Sequence, residues 1–259
     1  MSDLVLSSLD EGVLTLTFNR PDRLNAWTDA LGRSYFDLLE QAERDPGVRV
    51  IIVTGAGKGF CAGADFQTLA ALQDGSYDQE PDERPNIFPT TIRKPIIAAV
   101  NGACAGLGMV HALVCDLIFT AAEAKWTTAF VRRGLVAEYG IAWILPRLIG
   151  QAKSMDILLS GRTFTGAEAV ELGLASRAVP GERLLEETLT YARELATHSS
   201  PTSMAVIKRQ LWGDWEKSLE GSAAEAERLM AESFGRPDFG EGVASFLERR
   251  APAFPPLTA

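Results

Sequence analysis

Lys58-Gly59-Phe60-Cys61-Ala62-Gly63-Ala64-Asp65-Phe66-Gln67 follows closely on an apolar run, Val48-Arg49-Val50-Ile51-Ile52-Val53. A short apolar run bounded by turn residues reads as a strand buried on both faces. Gly55, Gly57 and Gly59 then loosen the backbone, and Gly63 stands just before a predicted helix. Glycine lets a main chain approach a ligand that a Cβ would exclude. A helix starting at Ala64-Asp65 leaves amide N–H groups unpaired and aimed outward. Such donors suit a developing oxyanion, which fixed dipoles stabilise better than mobile water does. The same stretch also reads as a strand-to-helix turn with no ligand, and by itself it does not choose.

The pattern recurs downstream. Lys94-Pro95-Ile96-Ile97-Ala98-Ala99-Val100 is a second buried strand, followed by Asn101-Gly102-Ala103-Cys104-Ala105-Gly106-Leu107-Gly108 and an apolar helix through Val114. Two such turns lying side by side would each offer an N–H to one ligand. Upstream, Leu4 to Leu9 and Val13 to Phe18 flank Asp10-Glu11-Gly12 as a β-hairpin. Asn19 to Ala26 is a loop interrupted by Pro21. Thr28 caps a helix that runs through Glu43 with Leu31, Tyr35, Leu38, Leu39 and Ala42 on one face.

After a short helix at 65–72, residues 73–89 are rich in Asp, Glu and Pro, which predicts a surface loop or lid. Residues 116–120 are a further strand. A helix begins near Tyr139 and is shortened or kinked by Pro146. Helices follow at 152–159 and at 165–172, the latter opened by Thr165 and Glu168 as a capping box. A short strand at 175–179 precedes a helix to about Thr197. Ser199-Ser200-Pro201 is the clearest boundary, dividing a body of residues 1–198 from a region of residues 199–259 read as three helices. The last of these is expected to have Asp238 as its N-cap and Glu241 three residues on. Strands alternating with helices make the class α/β.

Composition narrows the function. The chain of 259 residues is 46% hydrophobic, enough for a sizeable core. Its net charge of −9 argues against nonspecific nucleic-acid binding or attachment to an anionic membrane surface. Three cysteines (Cys61, Cys104, Cys115) and two histidines show no metal-type spacing, so no metal is expected. The N-terminus lacks the basic and apolar regions of a signal peptide, and no run reaches the ~20 apolar residues of a membrane span. A cytoplasmic setting is expected. No Ser-His-Asp set is present, which argues against a thioesterase.

With both glycine turns in view, the sequence resembles the enoyl-CoA hydratase/isomerase (crotonase) superfamily nearly end to end. Asn19-Arg20-Pro21-Asp22-Arg23-Leu24-Asn25-Ala26 looks like its first CoA loop, and Phe60 to Asp65 like its first oxyanion loop. Asn101-Gly102 through Gly108, ending at Cys115-Asp116, looks like its second. Thr163 to Leu174 and the 238–247 helix complete the pattern. The resemblance implies a crotonase-like spiral of ββα units with a C-terminal three-helix oligomerisation region, giving a homotrimer or a dimer of trimers. It implies an acyl-CoA thioester as substrate in fatty acid metabolism, with coenzyme A part of the substrate and no separate cofactor. The thioester oxygen would take N–H bonds from Ala64 and Leu107. Arg23, Leu24, Ala26, Ala62, Gly63, Asp65, Phe66 and Phe130 would contact substrate or CoA, with Arg23 suited to phosphate.

One departure decides the chemistry. The two glutamates that hold water in a typical hydratase of this family correspond to Val110 and Phe130, neither of which can transfer a proton. The next acid is Glu138, at the position of the single acid/base of some isomerases in the superfamily. An apolar wall from Val110 and Phe130 would raise its pKa. Double-bond isomerisation by Glu138 is therefore favoured. Hydration by Glu138 alone, or thioester binding without catalysis, is the alternative. Without the resemblance, Glu138 reads as an ordinary acid at a helix N-terminus.

Overall fold

The apolar runs become the centre of a six-stranded sheet in this computed structural model, which describes residues 3–78 and 82–257. Strand β1 (Val5–Asp10) and β2 (Val13–Phe18) form the expected hairpin, with Val5 opposite Phe18. Helix α1 (Asp29–Arg44) follows and is capped by Thr28, which accepts from the Leu31 amide at 3.2 Å. Its buried face carries Leu31, Tyr35, Phe36, Leu39 and Ala42. Three strand–strand–helix units come next. They are β3 (Val50–Gly55), β4 (Gly59–Cys61) and α2 (Phe66–Asp74), then β5 (Ile96–Val100), β6 (Ala103–Ala105) and α3 (Leu107–Leu113), then β7 (Leu117–Ala121), β8 (Lys125–Thr127) and α4 (Ile141–Ile149).

The first strand of each unit enters the large sheet and the second enters a separate four-stranded sheet. The large sheet has the order β1-β2-β3-β5-β7 and closes with β10 (Arg177–Val179). Beyond the hairpin all its pairings are parallel. Both β3 and β5 are buried along their whole length, which explains why they read as continuous apolar runs without alternation. The small sheet runs β4-β6-β8 in parallel, with β9 (Phe164–Thr165) antiparallel at its edge. Strands β4 and β6, three residues each, lie inside the two stretches that read as glycine turns in the sequence, because such lengths show no period.

Helices α5 (Gln151–Ser160), α6 (Gly166–Leu172) and α7 (Leu184–His198) complete the body. Pro146 lies inside α4, which nonetheless continues to Ile149. Only half of the capping box forms at α6. The Glu168 amide donates to Thr165 Oγ1 at 3.2 Å, but the Glu168 carboxylate turns to Arg162 at 2.6 Å.

The last helices are α8 (Pro201–Gly213), α9 (Leu219–Ser233) and α10 (Pro237–Glu248). Asp238 is not the N-cap of α10. Pro237 occupies the first turn and moves the start forward, so Arg236 takes the cap position without a side-chain bond. Asp238 is instead buried and accepts a hydrogen bond from Ser200 Oγ, the residue that caps α8. Glu241 pairs with Arg250. Among the described residues no helix is long and apolar enough to cross a membrane, and no cluster of His, Cys, Asp and Glu could hold a metal ion.

Candidate active site

The small sheet brings the two glycine turns together. Parallel pairing sets Gly59 opposite Ala103 and Cys61 opposite Cys104, so the residues that follow each strand emerge side by side. Contact between the turns leaves no room for side chains. A Cβ on Gly108 would lie 2.0 Å from the Cys61 carbonyl oxygen, and one on Gly63 would lie 2.9 Å from that of Ala105. Gly63 also has a φ of 95°, a left-handed value that suits glycine. Beyond these contacts stand Ala64, just ahead of α2, and Leu107, the first residue of α3. No hydrogen bond among the described residues uses either N–H. Both residues line one cavity of about 480 Å³.

Loop 19–27 lies against the first turn in strand-like fashion. The Ala62 amide donates to Leu24 O at 3.0 Å, Trp27 to Gly63 O at 2.7 Å, and Asp65 to Trp27 O at 2.9 Å. Asn25 fixes the loop from inside. Fully buried with a φ of 56°, it donates to Ala56 O and Gly59 O at 3.0 and 2.7 Å and accepts from the Arg20 amide at 2.7 Å. Arg23, Leu24, Ala26, Ala62, Gly63 and Phe66 are thereby gathered around one turn. Arg23, Leu24 and Phe66 are exposed, and the Arg133 guanidinium lies 5.5 Å from the Phe66 ring centre.

Two residues expected at the ligand are held elsewhere. The Asp65 carboxylate caps α2 by accepting from the Gln67 amide at 2.9 Å, and it pairs with Arg20 at 2.9 Å. Only the Asp65 main chain is left to face a ligand. Phe130 is buried within van der Waals reach of Gly106, 3.6 Å from where a Cβ there would be, and neither it nor Val110 lines the cavity. The apolar part of the lining comes from Trp27, Phe36, Leu69, Leu72 and Leu107 instead. Trp27 is backed by His111, whose ring stacks on it at 3.6 Å. Burial lowers the His111 pKa to about 3, so it stays neutral. Burial likewise pushes the Cys61 thiol up to about 12, which removes it as a nucleophile.

Three carboxylates line the cavity: Asp29, Asp82 and Glu138. Asp82 is held by Arg84 at 2.7 Å, and Asp29 accepts a hydrogen bond from the Tyr77 hydroxyl. Glu138 has neither kind of partner among the described residues, and burial raises its pKa above the ordinary glutamate value. It does not begin a helix. Tyr139 and Gly140 both adopt left-handed backbone, with φ of 47° and 82°, and α4 starts only at Ile141. Glu138 is thus held on a turn that departs from helical geometry. Tyr139, half exposed, joins it in the cavity lining.

Several of these residues were not legible from sequence. Arg20, Asn25, Trp27, Asp29, Tyr77, Arg84 and Tyr139 join the site through contacts spanning many residues. The 73–89 stretch does form one wall, through Tyr77, Asp82, Arg84, Pro85 and Asn86, while residues 79–81 of it lie outside the described residues.

Known proteins match this architecture over nearly all of the chain. The sequence model described as enoyl-CoA hydratase/isomerase matches residues 8–256. The chain is 35% identical to the 1,2-epoxyphenylacetyl-CoA isomerase of Escherichia coli K12, covering 98% of this chain and 99% of that protein. The crystal structure of a probable enoyl-CoA hydratase/isomerase from Mycobacterium abscessus is 34% identical and superposes with a TM-score of 0.90, covering 98% of this chain and 99% of the other. An enoyl-CoA hydratase from Mycobacterium marinum is 48% identical, with a TM-score of 0.72 over 83% of this chain and all of that one. On the matched sequence and the shared crotonase fold, the chain belongs to the enoyl-CoA hydratase/isomerase family, whose members are enzymes acting on acyl-CoA thioesters.

Proposed function

We propose that the protein moves the double bond of an enoyl-CoA from position 3 to position 2, with Glu138 as the single acid/base. One observation carries this: of the three carboxylates lining the cavity, Glu138 alone lacks a hydrogen bond or ion pair among the described residues. A base must be free to take and return a proton, and a raised pKa brings it toward working pH.

The chemistry balances with two proton transfers. The thioester oxygen accepts the Ala64 and Leu107 N–H groups. Glu138 takes a proton from carbon 2, and the C–H electron pair delocalises onto the oxygen as a dienolate. Those two amides stabilise the charge, and loss of one such donor typically costs about 10²–10³-fold in rate. The carbonyl then reforms, carbons 2 and 3 become doubly bonded, and carbon 4 takes the proton back from Glu138. No electron leaves the substrate, so the reaction calls for no redox partner, and coenzyme A arrives as part of the thioester. Arg23, Leu24, Ala26, Ala62, Gly63, Phe66 and the Asp65 main chain are the proposed CoA contacts.

Purified protein is offered 3-enoyl-CoA and 2-enoyl-CoA substrates of several chain lengths, alongside Glu138→Gln. Isomerisation lost in the variant supports the assignment, and isomerisation surviving in it overturns it. Faster hydration of 2-enoyl-CoA favours a hydratase using Glu138 alone. Binding without turnover identifies a thioester-binding protein.

We further propose a homotrimer, or a dimer of trimers, assembled through residues 199–259. Leu219 and Phe246 are each 82% exposed and Leu247 73%, a concentration of apolar surface that assembly would cover. Light scattering giving the mass of one chain would refute it.

A further inference from the structure

Two amides that serve one oxygen must converge on it, and the carbonyl on the far side of each peptide sets their direction. In a planar trans peptide the C=O and the N–H point opposite ways, so fastening the oxygen aims the hydrogen. The Ala64 N–H shares its peptide with the Gly63 carbonyl, which the Trp27 amide holds at 2.7 Å. The Leu107 N–H shares its peptide with the Gly106 carbonyl, which the Met109 and Val110 amides hold at 2.9 and 3.2 Å. Trp27 belongs to the first loop, and Met109 and Val110 belong to α3. Each donor is thus aimed by a different segment, and the two directions agree only while those segments keep a fixed relation.

The rings of Trp27 and His111 make that relation. His111 follows Val110 on α3, and its imidazole lies on the Trp27 indole with ring centres 3.6 Å apart and planes 21° from parallel. Helix α1 also crowds the indole, since a Cβ on Gly32 would lie 3.0 Å from Trp27 Cζ2. We propose that His111 is a positioning residue of the oxyanion site, its stack on Trp27 holding the Ala64 and Leu107 amides at one angle and separation. This rests on the thioester reading above and adds the residue that keeps its two donors in register.

Packing alone does not call for a histidine. His111 is 1% exposed, and neither ring nitrogen has a hydrogen-bond partner among the described residues. Unpaired buried nitrogens destabilise a fold, and a leucine of similar volume would carry no such penalty. What leucine lacks is a flat face. Burial keeps the imidazole neutral, so it stacks without bringing a desolvated charge into the core. His111 does not line the cavity, so it acts on the substrate through Trp27 and α3.

The test compares His111→Leu, which keeps the bulk and loses the face, with His111→Phe, which keeps the face. Three quantities are read: the urea midpoint, kcat and KM for isomerisation of a 3-enoyl-CoA, and the infrared carbonyl stretch of bound hexanoyl-CoA carrying carbon-13 at the thioester. Two aligned amides lower that stretch on binding, without any turnover. His111→Leu is expected to be at least as stable as the wild type, yet to lose about tenfold to 10²-fold in kcat with KM within about threefold. Its bound thioester should show a smaller carbonyl shift. His111→Phe is expected to keep kcat within about threefold of the wild type and to keep the full shift. His111→Leu with the wild-type kcat and carbonyl stretch overturns the proposal. So does a loss of activity that follows a fall in the urea midpoint while the stretch is unchanged, and so does a His111→Phe protein as impaired as His111→Leu. Hexanoyl-CoA that fails to bind the wild type, or binds with its stretch unmoved, refutes the thioester site itself. If the wild type binds without isomerising, the infrared comparison of the variants decides alone. Should His111→Leu fail to fold, His111→Met takes its place, being flexible and equally without a flat face.

Discussion

Arg20 and Asp65 stand 45 residues apart in sequence and meet as an ion pair of 2.9 Å between the first loop and the start of α2. Arg20 also donates to the Ala26 carbonyl, so one guanidinium fastens the loop both to itself and to the turn that carries Ala64. Burial pushes the Asp65 pKa up, but the Gln67 amide and Arg20 outweigh it and hold the carboxyl below its ordinary value. A lowered folded pKa gives stability that is present above the unfolded value of about 3.9 and is lost as pH falls through the folded one. Arg20→Ala is expected to cost about 1–3 kcal/mol, read by urea unfolding at neutral pH. Asp65→Asn should flatten the loss of stability below about pH 5. An Arg20→Ala protein as stable as the parent would show that the pair contributes nothing.

Glu138→Gln is expected to reduce isomerisation by about 10²–10⁴-fold with little change in KM, since the amide keeps the shape but cannot accept the proton. In the wild type, kcat/KM should rise with pH through an apparent pKa above the ordinary glutamate value of about 4.3, because the ionised form is the base. The same shift has a stability consequence of opposite sign to that of Asp65. A carboxyl whose folded pKa is raised loses stability as pH climbs through the window between its unfolded and folded values. Glu138→Gln should therefore be slightly more stable than the parent at neutral pH while being far less active. Thermal unfolding beside the pH–rate profile checks both halves.

Gly108 tests the apposition of the turns. A Cβ there would lie 2.0 Å from a backbone oxygen of Cys61 and 2.8 Å from the Cys61 Cβ, and the main chain cannot yield without parting β4 from α3. Gly108→Ala is expected to destabilise by about 1–3 kcal/mol or more and to lose turnover with it. Gly240, inside α10, has nothing within 4 Å of the same position. Gly240→Ala should be neutral or stabilising by about 0.4–1 kcal/mol. Similar urea midpoints for the two variants would mean that the turns are not in the tight contact described.

How much of this could be read from the sequence follows the range of the forces involved. Strands β3 and β5 are buried on both faces and announce themselves as apolar runs, and α1 shows its buried stripe and its Thr28 cap locally. The small sheet does not, because β4, β6 and β8 are each three residues long and owe their existence to one another rather than to propensity. Ala64, Leu107 and Glu138 were legible through family resemblance, and the structure brings all three to one cavity. What supports Glu138 was not. Val110 and Phe130 were expected beside it, yet both are buried and neither lines the cavity, whose apolar walls come from Trp27, Phe36 and Leu72. Asp238 was misplaced for a simpler reason, since the N-cap pattern ignored the preceding Pro237.

The junction at residue 199 looks like a boundary in sequence, but buried polar contacts cross it. Lys208 on α8 is 7% exposed at its side chain and meets Asp116 at 2.7 Å, while also donating to the Lys94 and Pro89 carbonyls at 3.2 and 3.4 Å. Asp116 in turn accepts from the Ile96 amide at 2.7 Å, at the first residue of β5. Removing the lysine alone leaves Asp116 without its counter-charge, which for a buried pair costs about 3–5 kcal/mol. Lys208→Met is expected to fall in that range, and adding Asp116→Asn should recover a large part of it, since the amide oxygen can still accept from Ile96. A double-mutant cycle by urea unfolding measures the coupling; additive losses would mean that the pair acts as two separate anchors. Because the contact joins α8 to the central sheet, the wild type should unfold in one transition. Lys208→Met is the variant in which a separate early transition of the last three helices should first become visible.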